Sequence, residues 1–132
     1  MGRPAPETTF SLWIEMLEEK AKDLGRQIGQ STEYQELKRA NDLLTEDPEA
    51  STVLRRLSQL RAEAQQFIER GEDPPQEMEA ELDTLLQKVE LNPVYQRAIV
   101  AQTNFDKLMM RVNEWISEGI RTGAVSKIIT LS

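Results

Sequence analysis

The stretch whose reading decides the fold is LNPVYQRAIVAQTNFDKLMMRVNEWISEGI, residues 91–120. Asn92-Pro93 opens it as a helix start. A short side-chain acceptor ahead of the first turn satisfies orphan backbone N–H groups, and proline at the first helical position gives up an N–H that has no partner there. From there Val94, Ala98, Ala101, Phe105, Leu108, Val112 and Trp115 recur at alternating steps of four and three. That spacing, about 3.5 residues per turn, keeps one stripe of a helix turned toward a neighbour, as in coiled-coil packing. These seven residues are the expected helix-packing or oligomer seam. Ile99, Val100, Met109, Met110, Ile116 and Ile120 widen the apolar face beyond a two-helix seam, so more than one neighbour is expected.

The same punctuation divides the rest of the chain. Thr8 or Thr9 can cap a first helix running to about Gly29, and Ser31 or Thr32 a second. Asp47-Pro48 repeats the logic of Asn92-Pro93 and starts a third, which should end near Arg70-Gly71, where glycine accepts the left-handed C-terminal conformation. Glu72-Asp73-Pro74-Pro75 is then a tight connection, with Asp73 or Pro74 starting a fourth helix. STEYQEL (31–37) echoes LNPVYQR (91–97), either through shared capping chemistry or through an internal duplication.

Apolar residues keep the 4-3 step in the other long segments: Phe10, Ile14, Leu17, Ala21, Leu24 and Ile28; Val53, Leu57, Leu60, Ala64 and Phe67; Met78, Leu82, Leu85 and Val89. No segment alternates with the period of two that marks a half-buried strand. The expectation is an all-α protein of about five helices, a single domain over 1–132, with residues 1–7 flexible. The third and fourth helices should form a long antiparallel hairpin. Such a hairpin is hard to bury within one small chain, so a helical bundle assembled as a homo-oligomer, most simply a dimer, is expected. After Gly119 and Gly123 the spacing breaks, and 122–132 reads as a C-terminal tail with Val125, Ile128, Ile129 and Leu131, either a docking segment or a frayed end.

Absent residues narrow the chemistry. Among 132 residues there is no cysteine and no histidine. That removes disulfides, thiolate zinc and cysteine-held iron–sulfur sites, and the usual catalytic triads. Glu15 with Glu19, and Glu79 with Asp83, stand at i, i+4, but Lys22 and Lys88 nearby favour solvated, ion-paired helix faces over an acid–base or metal pair. No enzyme activity, metal or cofactor is expected. A formal charge of −7 opposes binding driven by phosphate contacts. Arg55, Arg56, Arg61 and Arg70 are the one feature that would serve a direct RNA-binding module; only Arg56 and Arg70 share a helix face. No apolar run is long enough to span a bilayer, and the N-terminus lacks the apolar core of a signal peptide, so a cytoplasmic protein is expected.

Binding by surface contact is left. Trp13, one position off the first helix's seam, with Met109 and Met110, is the expected partner surface, whereas Phe105 and Trp115 on the seam read as core.

Taken together, Leu24-Gly25, Tyr34 with Leu37, Asp47-Pro48, Asn92-Pro93 and Val112-Asn113 with Ile116 and Ile120 resemble the YlbF/YmcA family of small helical bacterial proteins over roughly residues 20–121. The resemblance implies a self-associating regulatory adaptor. Its partners would be a family paralogue, a YaaT-like protein or ribonuclease Y, and its effect would fall on RNA processing and so on competence, sporulation and biofilm formation. The family's complex with a YaaT-like protein is associated with iron–sulfur clusters, which need cysteines that this chain does not have.

Overall fold

In a computed structural model the backbone is described for residues 5–131 and side-chain environments for residues 9–124. Five helices follow one another: α1 (Ala5–Gly29), α2 (Thr32–Glu46), α3 (Pro48–Glu69), α4 (Gln76–Glu90) and α5 (Pro93–Leu131). No strand is present among the described residues.

Local chemistry sets most of the boundaries. Ser31 caps α2, its Oγ accepting from the Tyr34 N–H at 3.1 Å, and Asp47 caps α3 through the Ala50 N–H at 2.8 Å. Asn92 Oδ1 accepts from the N–H groups of Val94 and Tyr95 at 2.8 and 3.1 Å. α3 ends with Gly71 at φ 76°, its N–H bonded to Ile68 O and the Glu72 N–H to Phe67 O. This is the paired bonding of a Schellman stop, which needs the left-handed conformation glycine tolerates best.

Three boundaries depart from the expectation. α1 starts at Ala5, ahead of Thr8 and Thr9. α4 starts at Gln76 with Pro75 as its cap and no side-chain cap bond, rather than at Asp73 or Pro74. At the other end α5 does not break at Gly119 or Gly123 but continues to Leu131. A glycine in a helix interior costs only about 1 kcal/mol relative to alanine, and no proline follows to stop the chain. The side chains of Val125, Ile128, Ile129 and Leu131 lie outside the described set, as do residues 1–4 of the stretch 1–7 expected to be flexible; residues 5–7 are the first of α1.

α2 runs antiparallel along the first half of α5. Tyr34 meets Phe105 with ring centroids 5.6 Å apart and planes tilted by 60°, and Glu36 reaches Arg97 at 3.6 Å. Leu37, Ala40, Ala98 and Ala101 are buried between them, with Leu44 and Phe105 against the cluster. Three alanines in four positions let the two backbones approach closely. α3 and α4 form the expected hairpin around a second cluster, Val53, Leu57 and Val89, closed by Leu54, Leu82, Leu85, Leu86 and Tyr95. Tyr95 carries the start of α5 into that cluster, and Asn92 Nδ2 donates to Asp47 Oδ2 at 3.3 Å, tying the starts of α3 and α5 together.

The Tyr-Gln echo has a physical basis. Gln35 Nε2 donates to Gly29 O at 2.9 Å and Gln96 Nε2 to Glu90 O at 2.8 Å, each folding back six residues onto the end of the preceding helix. In both places a capping side chain accepts from the tyrosine N–H while the glutamine holds the previous helix's last carbonyls. The same short sequence solves the same problem, joining two helices through a two-residue link.

Candidate protein-interaction surface

The described residues offer no catalytic constellation. No group of three or more acidic residues is placed to hold a metal ion, and no polar side chain is buried among them. No helix is long and apolar enough to cross a membrane. Of the third-helix arginines, Arg56 is committed within the fold: its Nε donates to Glu81 Oε2 at 2.7 Å and its Nη2 to Glu81 Oε1 at 2.9 Å. This fork raises the Arg56 pKa and holds the Glu81 carboxyl below the usual carboxylate range, their mutual hydrogen bonds being the main cause. Arg70 lies over the Phe67 ring, 4.9 Å from its centroid. Arg56 and Arg70, the two that share a helix face, are thus both engaged within the chain.

The feature that stands out is apolar and uncovered. From Phe10 to Leu17, the sequence FSLWIEML, six of eight residues are large and apolar, with exposures from 38% to 63%. An apolar helix face this wide is normally turned toward a core. Here α1 has α2 as its principal neighbour, and it approaches α5 only toward its C-terminal end. There Leu24 and Ile28 line a small groove with Leu108, Val112 and Trp115. Those positions continue the antiparallel register of α2 on α5, so α1 extends the line of α2 past the core. Further out Ile116 and Ile120 on α5 are exposed as well, and nothing lies within 4 Å of where a side chain would begin at Gly119 or Gly123.

The seam residues divide accordingly. Ala98, Ala101 and Val112 are buried, and Val94, Phe105 and Leu108 half-buried. Trp115 is 58% exposed, which corrects its reading as core: it lies past the end of α2 and only edges the groove it shares with Leu24 and Ile28. Trp13 is 59% exposed. One position off the 4-3 series still leaves it at the edge of the same face, since Phe10, Trp13 and Leu17 follow steps of three and four. Met109 is half-buried and Met110 exposed on the far side of α5 from the seam. The three expected surface residues thus do not form one patch: Trp13 belongs to the α1 stripe, Met110 to the opposite face of α5. Leu12 and Met16, exposed beside Trp13, were not singled out from the sequence; the density of apolar residues in 10–17 is the signal that would have found them.

Comparison with known proteins matches residues 17–121 to the family described as control of competence regulator ComK, YlbF/YmcA. The chain belongs to the YlbF/YmcA family. It is 32% identical over 82 residues to a UPF0342 protein of Streptococcus mutans serotype c, an alignment covering 62% of this chain and 73% of that protein. Among solved structures, Bacillus subtilis RicA, crystallised in complex with RicF, has a similar fold: TM-score 0.68 at 19% identity, covering 77% of this chain and 90% of RicA. Membership in this family makes the protein one of a regulatory family, and the five-helix architecture agrees with the RicA fold.

Proposed function

We propose that this YlbF/YmcA-family protein is a non-enzymatic regulatory adaptor that works in the cytoplasm through protein contacts. The observation that carries the reading is the uncovered apolar stripe on α1, centred on Trp13 and Leu17 and combined with a fold whose polar groups are spent on capping and on surface ion pairs. Large apolar surfaces on soluble chains mark sites of association. The family's description as controlling a competence regulator, and RicA's complex with RicF, support a role exercised by assembly. The finer reading is that assembly acts on ribonuclease Y-dependent RNA processing, with a paralogue, a YaaT-like protein or ribonuclease Y as partner.

The test is affinity capture of the tagged chain from nuclease-treated native lysate, with Trp13→Ala and Met110→Ala captured in parallel and bound proteins identified by mass spectrometry. A stoichiometric partner of one of those classes, reduced in either variant, is the expected result. Recovery of the chain alone contradicts the adaptor reading, and a complex destroyed by nuclease or by Arg55 and Arg61 substitution would favour direct RNA binding.

A further inference from the structure

We propose that the joint between α1 and α2 is a two-state hinge. α1 and the part of α5 beyond Val112 extend past the body as two arms, and the joint sets which way the first of them faces. Broken at Ser31, it turns the α1 stripe to the side of α5; closed into one continuous helix, it turns the stripe to the opposite side. What the switch controls rests on the adaptor reading, since the stripe is the surface that reading offers to a partner.

The phase of the apolar series requires the break. Leu37 on α2 packs with Ala98 and Ala101 of α5, and Ile28 on α1 lines the groove with Leu108 and Val112. These two residues are nine apart, about two and a half turns of unbroken helix, so in a continuous helix they would point in opposite directions. Carried on past Ile28, the 4-3 series of α1 would fall on Ser31, Gln35, Lys38 and Asp42, all polar and the last three exposed. The extended backbone of Ser31, at φ −67° and ψ 153°, is what brings both stripes to face α5.

This break is held by less than the others. Pro48, Pro74-Pro75 and Pro93 stand in the other three joints. There proline withholds an N–H and keeps the residue before it extended, so that helix cannot run through. No proline stands between Gly29 and Thr32. Helical bonding reaches the break from both sides: the Gln30 N–H donates to Arg26 O and the Gln35 N–H to Ser31 O, each at 3.1 Å. Closing the joint needs Ser31 to take a helical ψ. Backbone bonds would then form from the N–H groups of Thr32, Glu33 and Tyr34 to the carbonyls of Ile28, Gly29 and Gln30. Against them stand the cap bond from the Tyr34 N–H to Ser31 Oγ, the bond from Gln35 Nε2 to Gly29 O, and the contact of Leu24 and Ile28 with the groove. Bonds of the same kind on both sides of this balance make the joint a bistable element.

The cysteine-free chain takes spin labels at two introduced cysteines, Lys20→Cys on α1 and Gln87→Cys on α4, both at exposed positions. Pulsed electron spin resonance reads the distance between them, with labelled chain diluted into excess unlabelled chain so that only distances within one chain count. Thr32→Pro locks the break, because proline at the first helical position gives up no bond. Ser31→Ala with Gln35→Ala removes both side-chain holds. Circular dichroism confirms that each variant keeps its helices. Thr32→Pro should give one distance. The double variant should give a second, discrete distance, its population relative to the first raised roughly five- to thirtyfold over the unsubstituted chain. The same single distance in all three chains overturns the proposal, and a broad spread in the double variant overturns its two-state form. Capture from lysate is repeated with both variants: unequal recovery of a partner ties the switch to the stripe, and equal recovery overturns that link. Two distances with no partner captured by any chain would retire the adaptor reading and leave the hinge.

Discussion

The two ends of α5 differ in what surrounds the same apolar repeat. Along residues 94–112, α2 lies against the seam, alanines bring the helices close and the starts of α3 and α5 are tied by Asp47 and Asn92. Beyond Val112 the seam carries on through Trp115, which shares only an open groove with Leu24 and Ile28, and Ile116 and Ile120 after it are exposed. A periodic stripe therefore specifies that a helix needs a neighbour without specifying whose helix it is. The first half of α5 finds its neighbour within the chain, and the second, through residue 124, leaves its apolar side chains exposed.

That contrast is broken most severely by disrupting the body. Leu60, 1% exposed on α3, is the largest fully buried side chain among the described residues. Leu60→Ala should cost about 2–5 kcal/mol in denaturant unfolding. Asp47→Ala removes the α3 cap and the link to Asn92 together, with an expected loss of about 1–2 kcal/mol by the same measurement. Gln35→Ala and Gln96→Ala should each cost about 0.5–1 kcal/mol, and nearly equally, because they delete equivalent bonds.

The Arg56–Glu81 fork should show itself through pH. The folded pKa of Glu81 lies below its unfolded value, so the stabilisation is fully present above the unfolded carboxylate pKa and is lost as pH falls through the folded one. Glu81→Gln should flatten this part of the acid limb of the stability profile, measured by denaturant titration at a series of pH values. Both side chains are 40% exposed, so the effect is small and weakens with salt. Smallest of all, Trp13→Ala should change the stability of the isolated chain by less than about 0.5 kcal/mol, since the ring covers little within it. A large loss there would erase the distinction between body and arms.

Much of the body was legible in the sequence because its signals are local. Ser31, Asp47-Pro48, Asn92-Pro93 and Gly71 act within a turn of their own positions, and the structure places each where its chemistry puts it. The start of α4 was missed because Asp73 and Pro74 carry stronger start signals than Pro75, yet the chain uses the prolines to cross between helices first. The length of α5 was missed because two glycines were given more weight than the absence of a proline. Arg56 and Glu81 stand 25 residues apart, and only the hairpin's register brings them together. The surface was less legible: Trp13 was singled out by its place beside the first helix's seam, but Leu12 and Met16 were not, and periodicity gave Trp115 to the core because it carries no information about where a neighbouring helix ends.

The body is complete within one chain, and the arms are proposed to be completed by association. Amide hydrogen exchange on the full chain at low and high protein concentration tests it most directly. The account predicts that amides of α2 and of residues 94–112 are protected equally at both concentrations, while those of residues 10–24 and 113–124 exchange quickly when dilute and slowly when concentrated. Protection of the arms that is independent of concentration, or absent at both, would contradict it.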